Sequence, residues 1–102
     1  MPFYIYITTK PGRTTLYIGV TNNLKKRIQE HQDNRGEPET FAGRYYCYKL
    51  IYYEAYRTAQ EAIEREKKLK KWSRTKKEGL INDVNPEWEF LNYEDDLRVG
   101  RF

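Results

Sequence analysis

The sequence has little cysteine, little histidine and no long hydrophobic run. Its 102 residues include a single cysteine, Cys47, and a single histidine, His31. One cysteine cannot form an internal disulfide, and one residue of each kind argues against a zinc site, so a reduced cytoplasmic compartment is expected. No apolar run approaches the ~18 residues of a membrane-spanning helix, and the N-terminus lacks a basic segment followed by an apolar stretch. We therefore expect neither a membrane partner nor a secretion signal.

Hydrophobic residues are also scarce, at 38% of the chain, whereas charged residues reach 33% and tyrosine supplies 10 residues. Disordered chains are poor in aromatic residues, so this composition argues against disorder. A chain of 102 residues fits one domain with one small core. We expect a single domain, favour a monomer, and predict an aromatic core whose polar edges reach water.

The net charge of +4 hides an uneven distribution along the chain. Residues 1–77 hold 17 Lys/Arg and 8 Asp/Glu, whereas residues 78–102 hold 2 and 7. Positive charge is densest at residues 65–77, here called the basic segment. Such a cluster of lysines and arginines indicates a polyanion partner, of which nucleic acid is the commonest. The alternative is a solvated helix face that keeps the protein soluble. The candidate nucleic-acid-binding residues are Lys25, Lys26, Arg65, Lys67, Lys68, Lys70, Lys71, Arg74, Lys76 and Lys77.

The local pattern of residues predicts three strands and three helices. Aromatic and β-branched runs predict strands at residues 3–9, 14–20 and 45–56, the first two joined by a Pro-Gly turn. Apolar residues at helical spacing behind capping residues predict helices at about 24–31, 59–72 and 74–83. Residues 32–43 are typical of a surface loop. The order β-β-α-β-α-α predicts an α/β fold, a small three-stranded antiparallel sheet flanked by helices.

One carboxylate stands out on the second helix. At about 100° per residue, Glu66 falls between Ala62 and Ile63 on the only apolar stripe of that helix. A carboxylate that faces a core is costly unless it is paired or holds a metal. Glu66 is therefore either half of a structural salt bridge, a residue at a stripe end that opens to water, or a site carboxylate that acts as a metal ligand or acid/base group.

A second polar intrusion occurs on the first helix. His31 lies on the apolar stripe of Leu24 and Ile28, and Arg27 borders it four residues away, so both side chains can reach one spot. A hydrogen-bonded core histidine beside a surface arginine is the alternative.

The strand period of two divides the tyrosines between faces. Tyr4 and Tyr6 share one face of the first strand, and Tyr17 and Gly19 share a face of the second. Core packing is the usual role of such tyrosines. Gly19 indicates either close approach by a neighbour or ligand, or a kink at the strand end.

Together these residues resemble the GIY-YIG nuclease family. The triplets Tyr4-Ile5-Tyr6 and Tyr17-Ile18-Gly19 match its two motifs, with Tyr4 in place of the leading glycine. Arg27, His31 and Glu66 follow in the family's order, and the late asparagine is either Asn85 or Asn82.

The resemblance covers residues 2–91. It is strongest to the small stand-alone bacterial branch and more distant to the N-terminal nuclease domain of the excision-repair incision subunit. It implies a nuclease domain at residues 1–91 and leaves 92–102 as an acidic-aromatic tail that could fold back over the basic segment.

The resemblance implies an activity and roles for the site residues. Family members hydrolyse phosphodiesters with one divalent metal, here Mg²⁺ or Mn²⁺ held by Glu66. Arg27 would neutralise phosphoryl oxygens, and Tyr6 would be the general base, with Tyr17 or His31 relaying a proton. The expected function is a DNA endonuclease in repair, recombination or processing, and the resemblance leaves RNA open as an alternative substrate. Its rivals are a non-catalytic nucleic-acid-binding module of the same fold and a protein-interaction adaptor.

Overall fold

Seven elements of secondary structure follow one another along residues 2–92, the part of the chain that the computed structural model describes. In chain order they are β1 (Phe3–Thr9), β2 (Leu16–Thr21), α1 (Leu24–Asp33), α2 (Phe41–Arg44), β3 (Lys49–Tyr56), α3 (Ala59–Lys70) and α4 (Arg74–Val84). The predicted α/β class and element order are confirmed, with the short helix α2 as an addition. Predictions that concern residues 93–102 lie outside the described residues.

The three strands form one antiparallel sheet in the order β2-β1-β3. The β1–β2 turn closes with a hydrogen bond of 2.8 Å from Arg13 N to Lys10 O. The resulting register pairs Tyr6 with Gly19 on one side and with Tyr53 on the other. The central strand thus carries Tyr6 into the middle of the sheet.

The two faces of the sheet are covered by different helices. Tyr4, Tyr6 and Tyr53 pack with Leu24 and Ile28 of α1 in one buried cluster. On the opposite face, the isoleucines of β1 pack with the apolar residues of α3 and α4 in a second cluster. The alternation of β1 therefore separates a tyrosine-rich face under α1 from an aliphatic face under α3 and α4.

Three helices begin at side-chain caps, as their sequences predict. The side chains of Asn23, Thr58 and Ser73 accept hydrogen bonds from backbone N–H groups three residues on, at 3.1, 3.2 and 3.2 Å. Each cap satisfies an N–H that would otherwise lack a partner and is worth about 1 kcal/mol. These caps set where α1, α3 and α4 start.

The prediction of a strand from residue 45 is wrong, because β3 begins at Lys49. Tyr46 has a φ of 57°, a left-handed conformation that a strand cannot contain. Residues 32–43 are not wholly a loop, because α1 continues to Asp33 and Phe41–Arg44 is helical. The other borders shift by two residues or fewer: β2 spans 16–21, α3 ends at 70 and α4 at 84.

No helix within residues 2–92 has the length and apolar character that crossing a bilayer requires.

Candidate active site

The phenol of Tyr6 lies at the centre of the candidate site. Its hydroxyl is 2.8 Å from Nε2 of His31 and accepts a hydrogen bond of 3.2 Å from Nε of Arg27. Both partners come from α1, one helical turn apart, as the sequence predicts. Tyr6 itself has no exposed surface. Strand β1 and helix α1 therefore fix one phenol, one imidazole and one guanidinium around a single oxygen.

Gly19 makes room for that phenol. A Cβ atom added to Gly19 would lie 2.6 Å from Cζ of Tyr6 and still closer to the hydroxyl. Of the alternatives that the sequence leaves open, close approach by a neighbour applies, and the neighbour is the ring of Tyr6. Any side chain at position 19 must therefore either separate the strands locally or displace Tyr6 from its two hydrogen bonds.

The charges in this cluster are set by burial and by the hydrogen bonds. Burial raises the pKa of Tyr6 above its usual range, against the hydrogen bond from Arg27, which lowers it. Burial, helped by the nearby Arg27 guanidinium, lowers the pKa of His31 to about 4. Burial also opposes the charge on Arg27, but its hydrogen bonds to Tyr6 and Glu30 raise its pKa on balance. At neutral pH the cluster holds one fixed cation, a neutral phenol and a neutral imidazole.

Tyr17 borders this cluster from the edge strand β2. Its ring lies 5.4 Å from the ring of His31 and 6.3 Å from that of Tyr6, measured between centroids. Unlike Tyr6, it is partly exposed. Tyr6 and Tyr17 are therefore neighbours, and of these two only Tyr17 has surface that solvent can reach.

Glu66 approaches the cluster from α3. Its side chain is 20% exposed and pairs with Nζ of Lys70 at 3.2 Å. The negative charge of Glu66 raises the pKa of Tyr6, although burial, Arg27 and Tyr17 each have a larger effect on it. The prediction that Glu66 lies in the middle of the apolar stripe is wrong, because Ile63 is 40% exposed and the buried line runs through Ala62 and Leu69. Glu66 lies at the margin of that line, where it opens toward the site.

A small cleft adjoins the cluster at the β2 edge. Its volume is about 300 Å³, and its lining residues are Leu16, Tyr17, Ile18, Phe41, Lys70 and Lys77. The cleft thus joins Tyr17 to the short helix α2 and to two lysines of the basic segment. A ligand bound in this cleft would therefore contact Tyr17.

The basic segment does not present all of its charges to solvent. Lys67, Lys68, Lys71 and Lys76 are exposed, as are Lys25 and Lys26 on α1. Arg65 instead forms a two-pronged ion pair with Glu54, Nε to Oε1 at 2.9 Å and Nη2 to Oε2 at 3.0 Å. Arg74 is held by Glu78 at 2.7 Å and by the carbonyl of Thr14 at 2.9 Å. These two arginines tie elements together and Lys70 pairs with Glu66, so the exposed lysines named above form the positive surface.

The Glu54 cluster is a feature that the sequence analysis missed. The carboxylate is buried and accepts hydrogen bonds from Arg65 and from the hydroxyls of Tyr52 and Tyr56. Burial alone would raise the pKa of Glu54, but these donors, led by Arg65, lower it. Strand alternation could have revealed it, because it places Glu54 on the same face of β3 as Tyr52 and Tyr56. A carboxylate on such a buried face needs a hydrogen-bonding or charged partner.

Asn85 has a structural position in this fold. Its amide donates to the carbonyls of Ile51 and Glu89 at 2.9 and 3.0 Å and accepts from Glu89 N at 2.9 Å. Asn82 is exposed and bonds the indole of Trp88 at 2.6 Å. Asn85 therefore joins the end of α4 to β3.

Comparison with known proteins gives this arrangement a family. A family model described as the GIY-YIG catalytic domain matches residues 2–79. The chain belongs to the GIY-YIG family. The resemblance carried by the two triplets is thereby confirmed, and membership places the protein in a family of nucleases.

The GIY-YIG relatives of this chain are short proteins. A UPF0213 protein of Bacillus pumilus is 36% identical over 86 residues, which span 84% of this chain and 85% of the relative. One from Clostridium perfringens is 38% identical over 96 residues, spanning 94% and 98%. The solution NMR structure of a UPF0213 protein from Bacillus halodurans matches with a TM-score of 0.54 and 28% identity, covering 95% and 97% of the two chains. The expected small stand-alone bacterial branch of the GIY-YIG family is confirmed, as is the fold.

Proposed function

We propose that the protein is a divalent-metal-dependent endonuclease that hydrolyses DNA phosphodiester bonds. The observation that carries this proposal is the convergence of Arg27, Tyr6, His31 and Tyr17 beside the Glu66 carboxylate. Family membership supports nuclease chemistry, and the metal, the DNA substrate and a role in repair, recombination or processing are our proposals. The exposed lysines would hold the flanking backbone without reading its sequence.

The donor set fits a magnesium ion held by a single protein ligand. Mg²⁺ prefers oxygen ligands and usually keeps several waters, with one or two carboxylates and substrate phosphates completing its shell. Residues 2–92 contain no group of three His, Cys, Asp or Glu side chains arranged to hold a metal. Glu66 would therefore be the one protein ligand, with Mn²⁺ as an equivalent ion. The ion, when bound, would supply Lewis-acid stabilisation of the leaving oxygen.

Arg27 would neutralise the phosphoryl oxygens as the substrate reacts. Its guanidinium is fixed on one side by the Tyr6 hydroxyl at 3.2 Å and on the other by Oε1 of Glu30 at 3.1 Å. A planar cation held in this way presents its remaining N–H donors without reorganising, which is the condition for stabilising a transition state. Tyr6 and Glu30 are in this account the positioning residues of Arg27.

The proton from the attacking water would go to Tyr17 and not directly to Tyr6. Tyr6 was expected to be the base, but it has no exposed surface and its hydroxyl already meets His31 and Arg27. A general base must lie within hydrogen-bond reach of the water that it activates. Tyr17, in contrast, is partly exposed and lines the cleft, where a water can come within hydrogen-bond reach of its hydroxyl.

A cleavage panel tests the proposal against its rivals. End-labelled single strands, duplexes, flaps and four-way junctions of DNA, with single-stranded RNA alongside, are incubated with the protein in Mg²⁺, Mn²⁺ or EDTA. We expect cleavage of at least one DNA substrate with either metal and none in EDTA. Binding without cleavage under every condition would favour the non-catalytic module. Absence of nucleic-acid binding would favour the adaptor.

A further inference from the structure

Two exposed aromatic rings continue the row of rings that begins in the candidate site. The ring of Phe41 stacks on that of Tyr17 with centroids 6.2 Å apart, and Tyr45 follows Phe41 at 4.7 Å. Phe41 is 51% exposed and Tyr45 is 43% exposed. Exposed rings grouped in this way are uncommon on a surface and indicate binding.

Helix α2, which carries Phe41 and ends at Tyr45 as its C-cap, is firmly held. Ala42 and Gly43 of α2 are buried, and the Thr40 hydroxyl caps the helix by accepting from Gly43 N at 3.0 Å. A Cβ atom on Gly43 would lie 2.6 Å from the carbonyl of Glu37 and 2.8 Å from that of Asn34. The buried side of α2 is thus packed against backbone, and its rings are held outward in a preformed position.

The charges beside the rings favour an occupant that has an anion next to a flat apolar group. Phe41 lines the same cleft as Tyr17, Lys70 and Lys77. A nucleotide matches this combination, because its base stacks on an aromatic ring while its phosphate meets a lysine. Lys70 already pairs with Glu66, but an apolar protein segment would use the rings and leave Lys77 without a counter-charge.

We propose that Phe41 and Tyr45 form a base-stacking subsite for an unpaired nucleotide next to the scissile phosphate. The inference rests on the proposed function, since it takes the phosphate beside Tyr17 as the one that reacts. Bases within a duplex stack on one another and cannot lie on these rings, so the substrate class is nucleic acid with unpaired nucleotides. Stacking accepts any base, so the subsite selects for an unpaired strand and not for sequence.

Binding without metal tests the subsite separately from catalysis. A fluorescein-labelled single-stranded 20-mer and a blunt-ended 20-base-pair duplex are titrated with the full chain in EDTA, and affinity is measured by anisotropy. We expect Phe41→Ala to weaken single-strand binding by roughly 5- to 100-fold, the range for loss of one base–ring stack. Duplex affinity should change by less than about twofold, since the lysine contacts remain. Val84→Ala, which trims an exposed apolar residue on α4, serves as the matched control and should change neither affinity.

Two further variants separate stacking from apolar contact. Phe41→Trp keeps a ring and should bind the single strand at least as tightly as the wild type. Phe41→Leu keeps apolar bulk without a ring and should bind like Phe41→Ala. Wild-type affinity in Phe41→Leu, or equal losses on single strand and duplex, would overturn the subsite. Failure of the wild type to bind either DNA would instead overturn the proposed function.

Discussion

Replacing Gly19 by alanine tests whether the centre of the site is as tightly built as its geometry indicates. The added Cβ would lie 2.6 Å from Cζ of Tyr6, well inside van der Waals contact. A ring at the far end of a flexible side chain could swing away at little cost. Tyr6 cannot, because it has no exposed surface and its hydroxyl is bonded to His31 and Arg27. Either the strands separate locally or both hydrogen bonds are lost.

The expected magnitude follows from these two contributions. Overpacking a core costs about 1–3 kcal/mol, and each lost hydrogen bond costs about 0.5–1.5 kcal/mol. Overpacking alone, or the loss of both hydrogen bonds alone, should therefore lower the free energy of unfolding of Gly19→Ala by roughly 1–3 kcal/mol. At about 4–8 °C per kcal/mol for a domain of this size, the melting temperature should fall by roughly 4–24 °C. The measurement is thermal unfolding followed by circular dichroism.

Gly79→Ala provides a control of opposite sign in the same chain. Gly79 lies inside α4, and a Cβ there would meet nothing within 4 Å. Alanine in an unobstructed helix interior is more favourable than glycine by about 0.5–1 kcal/mol, so this variant should melt slightly higher than the wild type. A Gly19→Ala protein that melts within about 2 °C of the wild type would refute the reasoning. So would a Gly79→Ala protein that loses as much stability as Gly19→Ala.

Three further predictions concern the charges. Arg27→Lys keeps the charge but loses the planar fork, so the cleavage rate should fall on the order of 10²-fold with DNA affinity little changed; equal losses in both would make Arg27 a backbone anchor only. Lowering the pH from 6.5 toward 4 should reduce the free energy of unfolding by up to about 3 kcal/mol. In this range His31 is protonated in the unfolded chain, where its pKa is about 6.5, but stays neutral in the folded protein, where its pKa is about 4. Urea titrations of His31→Gln should lack this slope, and an identical slope would assign it to other groups. Removing residues 93–102, with the run Glu94-Asp95-Asp96, should raise DNA affinity several-fold at low salt and have no effect above roughly 0.15 M, where screening is short-ranged; unchanged affinity throughout a salt titration would exclude masking by the tail.

The parts of the site that depend on short-range periodicity were predictable from the sequence. Helical spacing alone places Arg27 and His31 on one side of α1, and strand alternation places Tyr6 on a face of β1. Both statements hold in the structure, because the buried face of α1 is determined by residues within two helical turns and that of β1 by residues a few positions apart. The Gly19 contact also follows once the hairpin register is known, because the register pairs it with Tyr6.

The parts that depend on contacts distant in sequence, or on very short elements, were not predictable. Helix α2 has four residues, too few to show a helical period, and its burial depends on backbone from residues 34–37. Arg65 belongs by sequence to a basic run, yet its partner Glu54 reaches it from β3. Which residues of α3 are buried depends on the orientation of that helix about its own axis against the sheet. In the structure this orientation places Glu66 at the margin of the buried line. Each case needed the tertiary arrangement.

The most direct test of metal-dependent catalysis at this site is the cleavage rate of Glu66→Gln in Mg²⁺, measured beside Glu64→Gln on a DNA substrate that the wild type cleaves. Both variants remove one carboxylate charge from α3 and keep the side-chain size, but Glu64 is exposed, whereas Glu66 is partly buried and its charge acts on Tyr6. The account predicts that Glu66→Gln folds, binds DNA and does not cleave it, whereas Glu64→Gln cleaves at the wild-type rate. Wild-type cleavage by Glu66→Gln, or equal loss in both variants, would contradict it.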